Sequence, residues 1–266
     1  MSTADRQRVW VTGASSGIGE ALAYAFHQAG AKLILSARRA EELSRVQGRC
    51  GGEATTRILP LDVTQSAELP DKARAALEMF GGIDVLVNNA GVTQRSLVKD
   101  TELDVYRKLM EVNFFGAIAL TKAVLPAMME ARRGDIIVIS SLVGKFGTPL
   151  RSGYAAAKHA LHGFFDSLRA EVSRYGIKVM LVCPGYIRTD ISLHALQGDG
   201  GLHAKMDSGQ ARGMPVEKCA SQILKGLAQG KEEIYVGNKD KYVVYLKRFF
   251  PRVFSRMIAK ASGDRP

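Results

Sequence analysis

The sequence predicts an α/β fold, in which about seven parallel strands form a doubly wound sheet with helices on both faces. Short runs such as KLILS, IDVLV and DIIVIS are apolar at successive positions, as in strands that are covered on both sides. Longer stretches with helical periodicity lie between these runs. Strands that alternate with helices form a parallel sheet, because each helix returns the chain to the edge at which the next strand begins.

The expected elements follow one another with short connections. The apolar runs place strands at residues 9–12, 32–36, 55–59, 83–87, 135–140, 178–183 and 233–236. The helical patterns cover residues 18–29, 40–49, 66–80, 103–131, 152–175 and 215–229. Residues 192–213 fit neither pattern and include five glycines. Because long loops in compact domains are usually functional, we expect a mobile lid at residues 190–215, within a domain of residues 1–238.

Length and composition indicate a soluble globular protein. The chain has 266 residues, of which 46% are hydrophobic and 24% are charged. The three cysteines, Cys50, Cys183 and Cys219, are far apart in sequence, which favours reduced thiols and predicts no metal site. The chain begins MSTADRQRVW, without the apolar core of a signal peptide, and we find no uninterrupted apolar run near the ~20 residues that span a bilayer. We therefore expect a cytoplasmic protein.

The C-terminal segment, residues 239–266, is predicted to be a basic amphipathic extension. It holds eight Lys or Arg and two Asp. Its net charge of 8 − 2 = +6 is more than half of the +11 of the whole chain. Apolar and aromatic residues recur at helical spacing between the charges, and Pro251 must break or kink the helix. Such a segment can lie in a lipid interface, or it can cover the mouth of a binding site or pack on a second subunit. The interleaved charges do not favour nucleic-acid binding.

The stretch TGASSGIG, residues 12–19, follows the first strand and opens the first helix. Backbone N–H groups at a helix N-terminus attract phosphate, whereas a plain tight turn is the alternative. Gly13 suits the turn, Gly17 lets a pyrophosphate approach, and Gly19 lets the helix pack closely on the sheet. This position favours a Rossmann-type dinucleotide site, with expected contacts from Gly13, Ser15, Ser16, Gly17, Ile18 and Gly19.

The residues after the second strand bear on which dinucleotide binds. An acidic side chain there would hydrogen-bond the ribose 2′-hydroxyl, but the sequence has Ala37, Arg38 and Arg39. No carboxylate repels a 2′-phosphate, and a guanidinium can bind one through two hydrogen bonds. The sequence therefore predicts NADP(H), with an exposed basic helix start as the alternative for these arginines.

Four motifs together resemble the short-chain dehydrogenase/reductase family across residues 8–236. They are TGASSGIG, NNAG at residues 88–91, a Ser140-Ser141 pair followed by YAAAK at residues 154–158, and CPGYIRT at residues 183–189. The lid and the C-terminal extension are similar to the branch of the family that contains dehydrogenase/reductase member 7B. The resemblance implies hydride transfer between a carbonyl and a secondary alcohol.

Within this resemblance, Tyr154 and Lys158 are the central pair. They are four residues apart and share one face of a helix. A nearby cation lowers a phenol pKa from its usual value near ~10, so we expect Tyr154 to act as the acid–base near neutral pH. The resemblance assigns Ser141 to the substrate oxygen, with Ser140 positioning backbone or cofactor. It implies that Asn113 holds a water molecule in a proton relay to Lys158. The alternative is that the Asn113 side chain satisfies backbone groups at a helix kink.

The resemblance also implies the remaining cofactor contacts. Lys158 is expected at the nicotinamide ribose, beside Tyr154, and Asp62 and Val63 at the adenine. The other expected contacts are Asn88, Asn89, Ala90, Gly91, Pro184, Gly185, Ile187 and Thr189. His159 and His162 are expected to be ordinary helix-face residues rather than metal ligands.

These features predict an NADP(H)-dependent oxidoreductase that acts on a small carbonyl or alcohol, with a lipophilic substrate suggested by the apolar extension. The alternative is an NADPH-binding sensor or scaffold with little catalysis. The resemblance implies a homodimer or homotetramer formed through the helices at residues 103–131 and 152–175. Peripheral membrane contact through the extension is the remaining partner hypothesis.

Overall fold

The computed structural model of the protein describes residues 7–263, so the ends of the predicted domain and extension lie outside the described residues. Seven parallel strands form one sheet in the order β3-β2-β1-β4-β5-β6-β7. This confirms the predicted α/β class and the doubly wound sheet. The strands are β1 Arg8–Thr12, β2 Lys32–Ser36, β3 Thr56–Ile58, β4 Val85–Asn88, β5 Gly134–Ile139, β6 Ile177–Pro184 and β7 Glu233–Val236.

The helices lie close to the predicted ranges. They are α1 Gly17–Gln28, α2 Ala40–Gly48, α3 Leu69–Phe80, α4 Leu103–Met110, α5 Gly116–Ala131, α6 Ser152–Val172, α7 Ser208–Ala211, α8 Val216–Ala228, α9 Val243–Phe249 and α10 Pro251–Gly263. Most predicted bounds are shifted by one to three residues, because helix ends are set by caps and turns rather than by periodicity.

The sheet separates two apolar cores. Val9 and Val11 of β1 face the core that contains Phe26 of α1, whereas Trp10 faces the core that contains Phe165 of α6. This alternation follows from the two-residue period of a strand. All three of these β1 residues are fully buried, as the continuous apolar run predicts.

Helices α4 and α5 are joined by a π-helical turn at Glu111–Phe115, which makes one helix of 29 residues. By length and composition alone this helix could cross a membrane, although Glu111, Asn113 and Lys122 interrupt its apolar sequence. It nevertheless packs on the sheet, and Leu120, Val124 and Met128 are buried in the core. The same apolar composition is typical of a core helix.

The C-terminal extension forms two helices that break where Pro251 predicts. Helix α9 ends at Phe249, and α10 begins at Pro251. Phe254 of α10 is buried against Phe146, with ring centroids 5.3 Å apart. The inner side of the extension therefore packs on the loop that follows β5.

Candidate active site

A cavity of about 730 Å³ runs along the carboxyl ends of the parallel strands. Ligands of doubly wound sheets bind at this edge, where the strand order reverses. The sequence-predicted residues that line the cavity are Gly13, Ser15, Ser16, Gly17, Ile18, Arg38, Arg39, Asp62, Val63, Asn89, Ala90, Gly91, Asn113, Ser141, Tyr154, Lys158, Pro184, Gly185, Ile187 and Thr189. Gly19 lies behind the cavity wall, within α1.

Backbone geometry explains the glycines of the first turn. Gly13 and Gly17 have φ values of 62° and 58°, in the left-handed region that favours glycine. A Cβ at Gly19 would overlap the carbonyl oxygen of Gly13. Gly19 therefore lets α1 begin against the turn, and Gly17 leaves the helix N-terminus open to the cavity.

The two arginines after β2 are exposed and border the same cavity. Arg39 Nη2 lies 3.4 Å from Ser15 Oγ, so this guanidinium reaches the glycine turn. Turn amides and guanidinium groups are the donors that a phosphorylated dinucleotide requires. The donor set therefore fits such a cofactor.

The two asparagines of NNAG have different environments. Asn89 lines the cavity, and its Nδ2 donates to the carbonyl of Thr12 at 3.0 Å. Asn88 is buried, and its Nδ2 donates to Thr121 Oγ1 at 2.9 Å. The expectation that Asn88 lines the cavity is therefore wrong, because the last residue of β4 points into the core.

Tyr154, Lys158 and Ser141 meet at one end of the cavity. Lys158 Nζ lies 5.7 Å from the centre of the Tyr154 ring, and it donates to the carbonyl of Ile139 at 2.8 Å. The Ser141 hydroxyl donates to the carbonyl of Pro184 at 3.3 Å and accepts from the Val143 N–H at 3.3 Å. The serine-ended strand and the helix thus bring three polar groups to one point.

Burial dominates the protonation of this pair. It raises the pKa of the Tyr154 phenol, although the nearby Ser141 hydroxyl and the charges of Arg151 and Arg95 oppose the rise. Burial also lowers the pKa of Lys158 to about 8. The expectation of a Tyr154 pKa lowered by Lys158 is therefore wrong for the protein as described, because desolvation outweighs the neighbouring charges.

Asn113 lies in the π-helical turn and is almost fully buried. Its Nδ2 donates to the carbonyls of Leu109 and Val92, both at 2.9 Å, and its Oδ1 accepts from the Val92 N–H at 3.2 Å. π-Helical turns are frequent at functional sites. These bonds agree with the alternative in which Asn113 supports an irregular helix.

His159 and His162 lie in different environments on α6. His159 is exposed, as expected for a helix-face residue. His162 is buried and contacts Ser140 Oγ through Nε2 at 3.0 Å. The description of His162 as an ordinary helix-face residue is therefore wrong, because the helical spacing from Lys158 turns it toward β5.

A family model described as short chain dehydrogenase matches residues 7–198, which is more than half of the chain. The chain belongs to the short-chain dehydrogenase/reductase family. This family comprises oxidoreductases with a nucleotide-binding Rossmann fold.

Individual members of the family show similarity over nearly the whole chain. Dehydrogenase/reductase SDR family protein 7-like from Anopheles gambiae is 44% identical over 95% of this chain and 82% of its own length. Dehydrogenase/reductase SDR family member 7B from Bos taurus is 40% identical over 94% and 80%. A short-chain dehydrogenase crystal structure from Streptomyces avermitilis has a TM-score of 0.81 and 29% identity, over 98% of this chain and all of that one.

In this dehydrogenase/reductase the structure shows an ion pair between Arg95 and Asp207 that no sequence pattern reveals. Arg95 follows β4, and its Nε lies 2.8 Å from Oδ2 of Asp207 in the predicted lid. Arg151 Nη2 lies 3.4 Å from the same oxygen. Both arginines line the cavity near Tyr154. They are far apart in sequence and belong to no motif, so only the fold brings them together.

The C-terminal extension also contributes to the site of this family member. Asp240 Oδ2 accepts from the Tyr186 N–H at 2.9 Å, next to Pro184 and Gly185. Val243, Met257 and Ile258 line the cavity. Of the three hypotheses for the apolar stripe, this packing supports the one in which the stripe covers the mouth of the site.

Proposed function

We propose that the protein is an NADP(H)-dependent oxidoreductase that interconverts a carbonyl and a secondary alcohol. One observation carries this proposal: Ser141, Tyr154 and Lys158 converge on the cavity that also contains the glycine turn. A protein that only sensed a nucleotide would need the turn but not the three polar groups.

Each side chain has a role that follows from its position. A bound nicotinamide cofactor donates or accepts the hydride. Tyr154 gives a proton to the carbonyl oxygen of the substrate, or takes one from the alcohol, while Ser141 hydrogen-bonds the same oxygen. The raised pKa of Tyr154 keeps the phenol protonated near neutral pH, which is the form that donates. Lys158 holds the ribose of the cofactor.

Tyr154→Phe tests the assignment, with Tyr175→Phe beyond the end of α6 as the matched control. We expect Tyr154→Phe to lose NADPH oxidation on a panel of ketones while it still binds NADPH by fluorescence, and Tyr175→Phe to keep both. Full turnover in Tyr154→Phe would contradict the proposal. Binding of NADPH by the unaltered protein without turnover on any ketone would favour the sensor.

NADP(H) is proposed over NAD(H) because Arg38 and Arg39 border the cavity where an acidic residue would select the ribose hydroxyl. Replacing both by Ala should reduce the preference for NADPH over NADH by about tenfold or more in dissociation constant. Arg57→Ala is the control, since Arg57 is exposed on β3 and pairs with Glu53. An unchanged preference in the double variant would contradict this choice.

We propose a lipophilic substrate and peripheral contact with a membrane, because the extension has two different sides. Its inner side adds Val243, Met257 and Ile258 to the cavity. Its outer side exposes aromatic residues between basic ones, as in helices that lie on anionic lipid. The exposed aromatic and aliphatic residues are Tyr242, Tyr245, Phe249, Phe250 and Val253.

Co-sedimentation with vesicles of phosphatidylcholine and phosphatidylserine tests this contact. Phe249→Ser combined with Phe250→Ser should reduce binding several-fold. Leu97→Ser combined with Val98→Ser is the control, because these two residues are exposed outside the extension. No binding by the unaltered protein, or equal binding by both double variants, would contradict membrane contact and leave a cytoplasmic enzyme.

We also propose a homodimer or homotetramer formed through the long helices α4–α5 and α6. Only 33% of the most apolar window of the α4–α5 helix is buried within one chain, and Phe115 is half exposed there. Covering this face by a second copy would bury apolar surface. Light scattering after gel filtration should give two or four times the chain mass of 28.9 kDa. A monomer would contradict the proposal.

A further inference from the structure

A chain of polar side chains begins at Ser140 in the cavity wall, continues behind it and joins four segments of the fold. Ser140 follows β5, Lys145 lies in the next loop, His162 is on α6, and Glu233 opens β7. His162 Nε2 contacts Ser140 Oγ at 3.0 Å, and His162 Nδ1 faces Glu233 Oε2 at 3.4 Å. Lys145 Nζ lies 2.6 Å from the same carboxylate oxygen.

This chain reaches two of the groups proposed for catalysis. Ser140 Oγ donates to the backbone carbonyl of Lys158 at 3.2 Å, and Ser140 is the neighbour of Ser141. His162 lies one helical turn after Lys158, so it sits on the same side of α6. Ser140 Oγ therefore links α6 to the residue after β5, next to the hydrogen bond from Lys158 Nζ to the Ile139 carbonyl.

The close approach depends on a residue without a side chain. A Cβ at Gly144 would lie 2.6 Å from Ser140 Oγ, 3.0 Å from the Lys158 carbonyl oxygen and 3.1 Å from His162 Nε2. All three distances are shorter than ordinary van der Waals contact. Gly144 thus allows the loop after β5 to close over these hydrogen bonds and exclude water from them.

We propose that His162, held by Glu233, positions Ser140 and through it fixes Lys158 and Ser141 at the cavity wall. His162 and Glu233 are not among the residues that line the cavity, and His162 reaches the lining through Ser140, so they act as positioning residues. Hydrogen bonds in a buried network restrain the groups that they join. His162 Nδ1 is buried, and although it makes no hydrogen bond it faces the Glu233 carboxylate at 3.4 Å. The expected effect on turnover rests on the proposed function, whereas the expected effect on the rigidity of the loop and of α6 does not.

A metal site is the competing interpretation of this cluster. One ligand atom from each of His162, Cys183 and Glu233 lies within 4.8 Å of the others. However, His162 Nε2 lies closer to Ser140 Oγ, at 3.0 Å, than to Cys183 Sγ, at 3.7 Å, and the ammonium of Lys145 already neutralises the carboxylate that faces Nδ1. Burial raises the pKa of the Cys183 thiol, which disfavours the thiolate that a metal needs. The observed partners fit a hydrogen-bond chain better.

The test compares three substitutions on α6. His162→Leu removes both polar contacts, His162→Gln keeps a polar group near Ser140, and His159→Leu changes an exposed histidine three residues earlier. Hydrogen exchange of the protein without cofactor should become faster in peptides covering residues 138–146 and 156–164 for His162→Leu only. The kcat of His162→Leu should fall by about tenfold with KM for the carbonyl substrate within about twofold, and His162→Gln should recover most of it.

Ser140→Ala completes the experiment as a double-mutant cycle with His162→Leu. If both act through one chain, the double variant should lose no more kcat than the worse single variant. Equal exchange rates in His162→Leu and His159→Leu, or independent losses in the cycle, would overturn the proposal. So would one equivalent of zinc in the purified protein with activity lost to a chelator. The exchange comparison needs no substrate, so it stands even if the proposed reaction fails.

Discussion

The guanidinium of Arg95 and the carboxylate of Asp207 form an ion pair that joins the lid to the chain leaving β4. The Arg95 side chain is only 6% exposed, and Asp207 also faces Arg151. Burial alone would raise the pKa of Asp207, but the hydrogen bond and charge of Arg95 and the charge of Arg151 hold it below its usual value. The predicted lid is therefore held beside Tyr154 by one carboxylate that faces two cations.

Asp207→Asn should loosen the lid, because it leaves two poorly solvated guanidinium groups without a counter-charge. We expect KM for the carbonyl substrate to rise by roughly five- to tenfold and trypsin to cut the lid faster. Asp199→Asn is the control, since exposed Asp199 only accepts a turn hydrogen bond from Gly201. Identical kinetics and cleavage in the two variants would show that the ion pair does not hold the lid.

Gly19→Ala should damage cofactor binding although Gly19 does not line the cavity. Its Cβ would overlap the Gly13 carbonyl oxygen, so the glycine turn must shift. We expect about 1–3 kcal/mol lower stability and at least about tenfold weaker NADPH binding.

Gly48→Ala is the matched control for this substitution, because a Cβ there meets nothing within 4 Å at the end of α2. Thermal unfolding and fluorescence titration measure both effects. If the two alanine variants behave alike, close packing at Gly19 does not shape the turn.

The sequence was sufficient for the fold class because each strand is a continuous apolar run between amphipathic helices. Residues that line the cavity were predictable where a local motif follows the end of a strand, as for Gly13 and Ser141. Asn88 was misjudged because adjacent residues at a strand end point to opposite sides. The Arg95–Asp207 pair and the environment of His162 depend on contacts distant in sequence, which no local pattern encodes.

Stability should depend on pH through Glu233. Burial would raise its pKa, but the neighbouring polar groups of His162, Lys145 and Tyr235 lower it to about 2, against 4.5 for a free glutamate. A lowered pKa in the folded state stabilises the protein above the unfolded pKa, and this contribution is lost as pH falls from about 4.5 to 2.

Glu233→Gln should therefore lower the free energy of unfolding by up to about 3 kcal/mol at pH 6, and the difference from the unaltered protein should shrink on acidification. Urea unfolding between pH 6 and pH 3 measures both. Glu232→Gln is the control because the neighbouring Glu232 side chain is exposed. A difference that stays constant with pH would show that the Glu233 carboxylate is not stabilised by its partners.

Phe254→Ala should detach the extension from the cavity. Phe254 is buried against Phe146, whereas Phe250 in the break between α9 and α10 is 61% exposed. We expect Phe254→Ala to expose the extension to proteolysis and to raise KM for large apolar carbonyls, since truncating a buried Phe costs about 3–5 kcal/mol. Phe250→Ala should change neither. Resistance to protease in both variants would contradict the packing of α10 as part of the site.

The contact between Asp240 and the loop after β6 constrains how this chain can diverge or be engineered. A side chain at position 185 would collide with the Asp240 carboxylate, and that carboxylate also holds the Tyr186 N–H. Any larger residue at 185 therefore requires a simultaneous change at 240. Deleting the residues from 240 onward would remove the carboxylate that holds the Tyr186 N–H. The loop after β6 lies next to the proposed position of hydride transfer, so we expect this deletion to reduce turnover before it reduces folding.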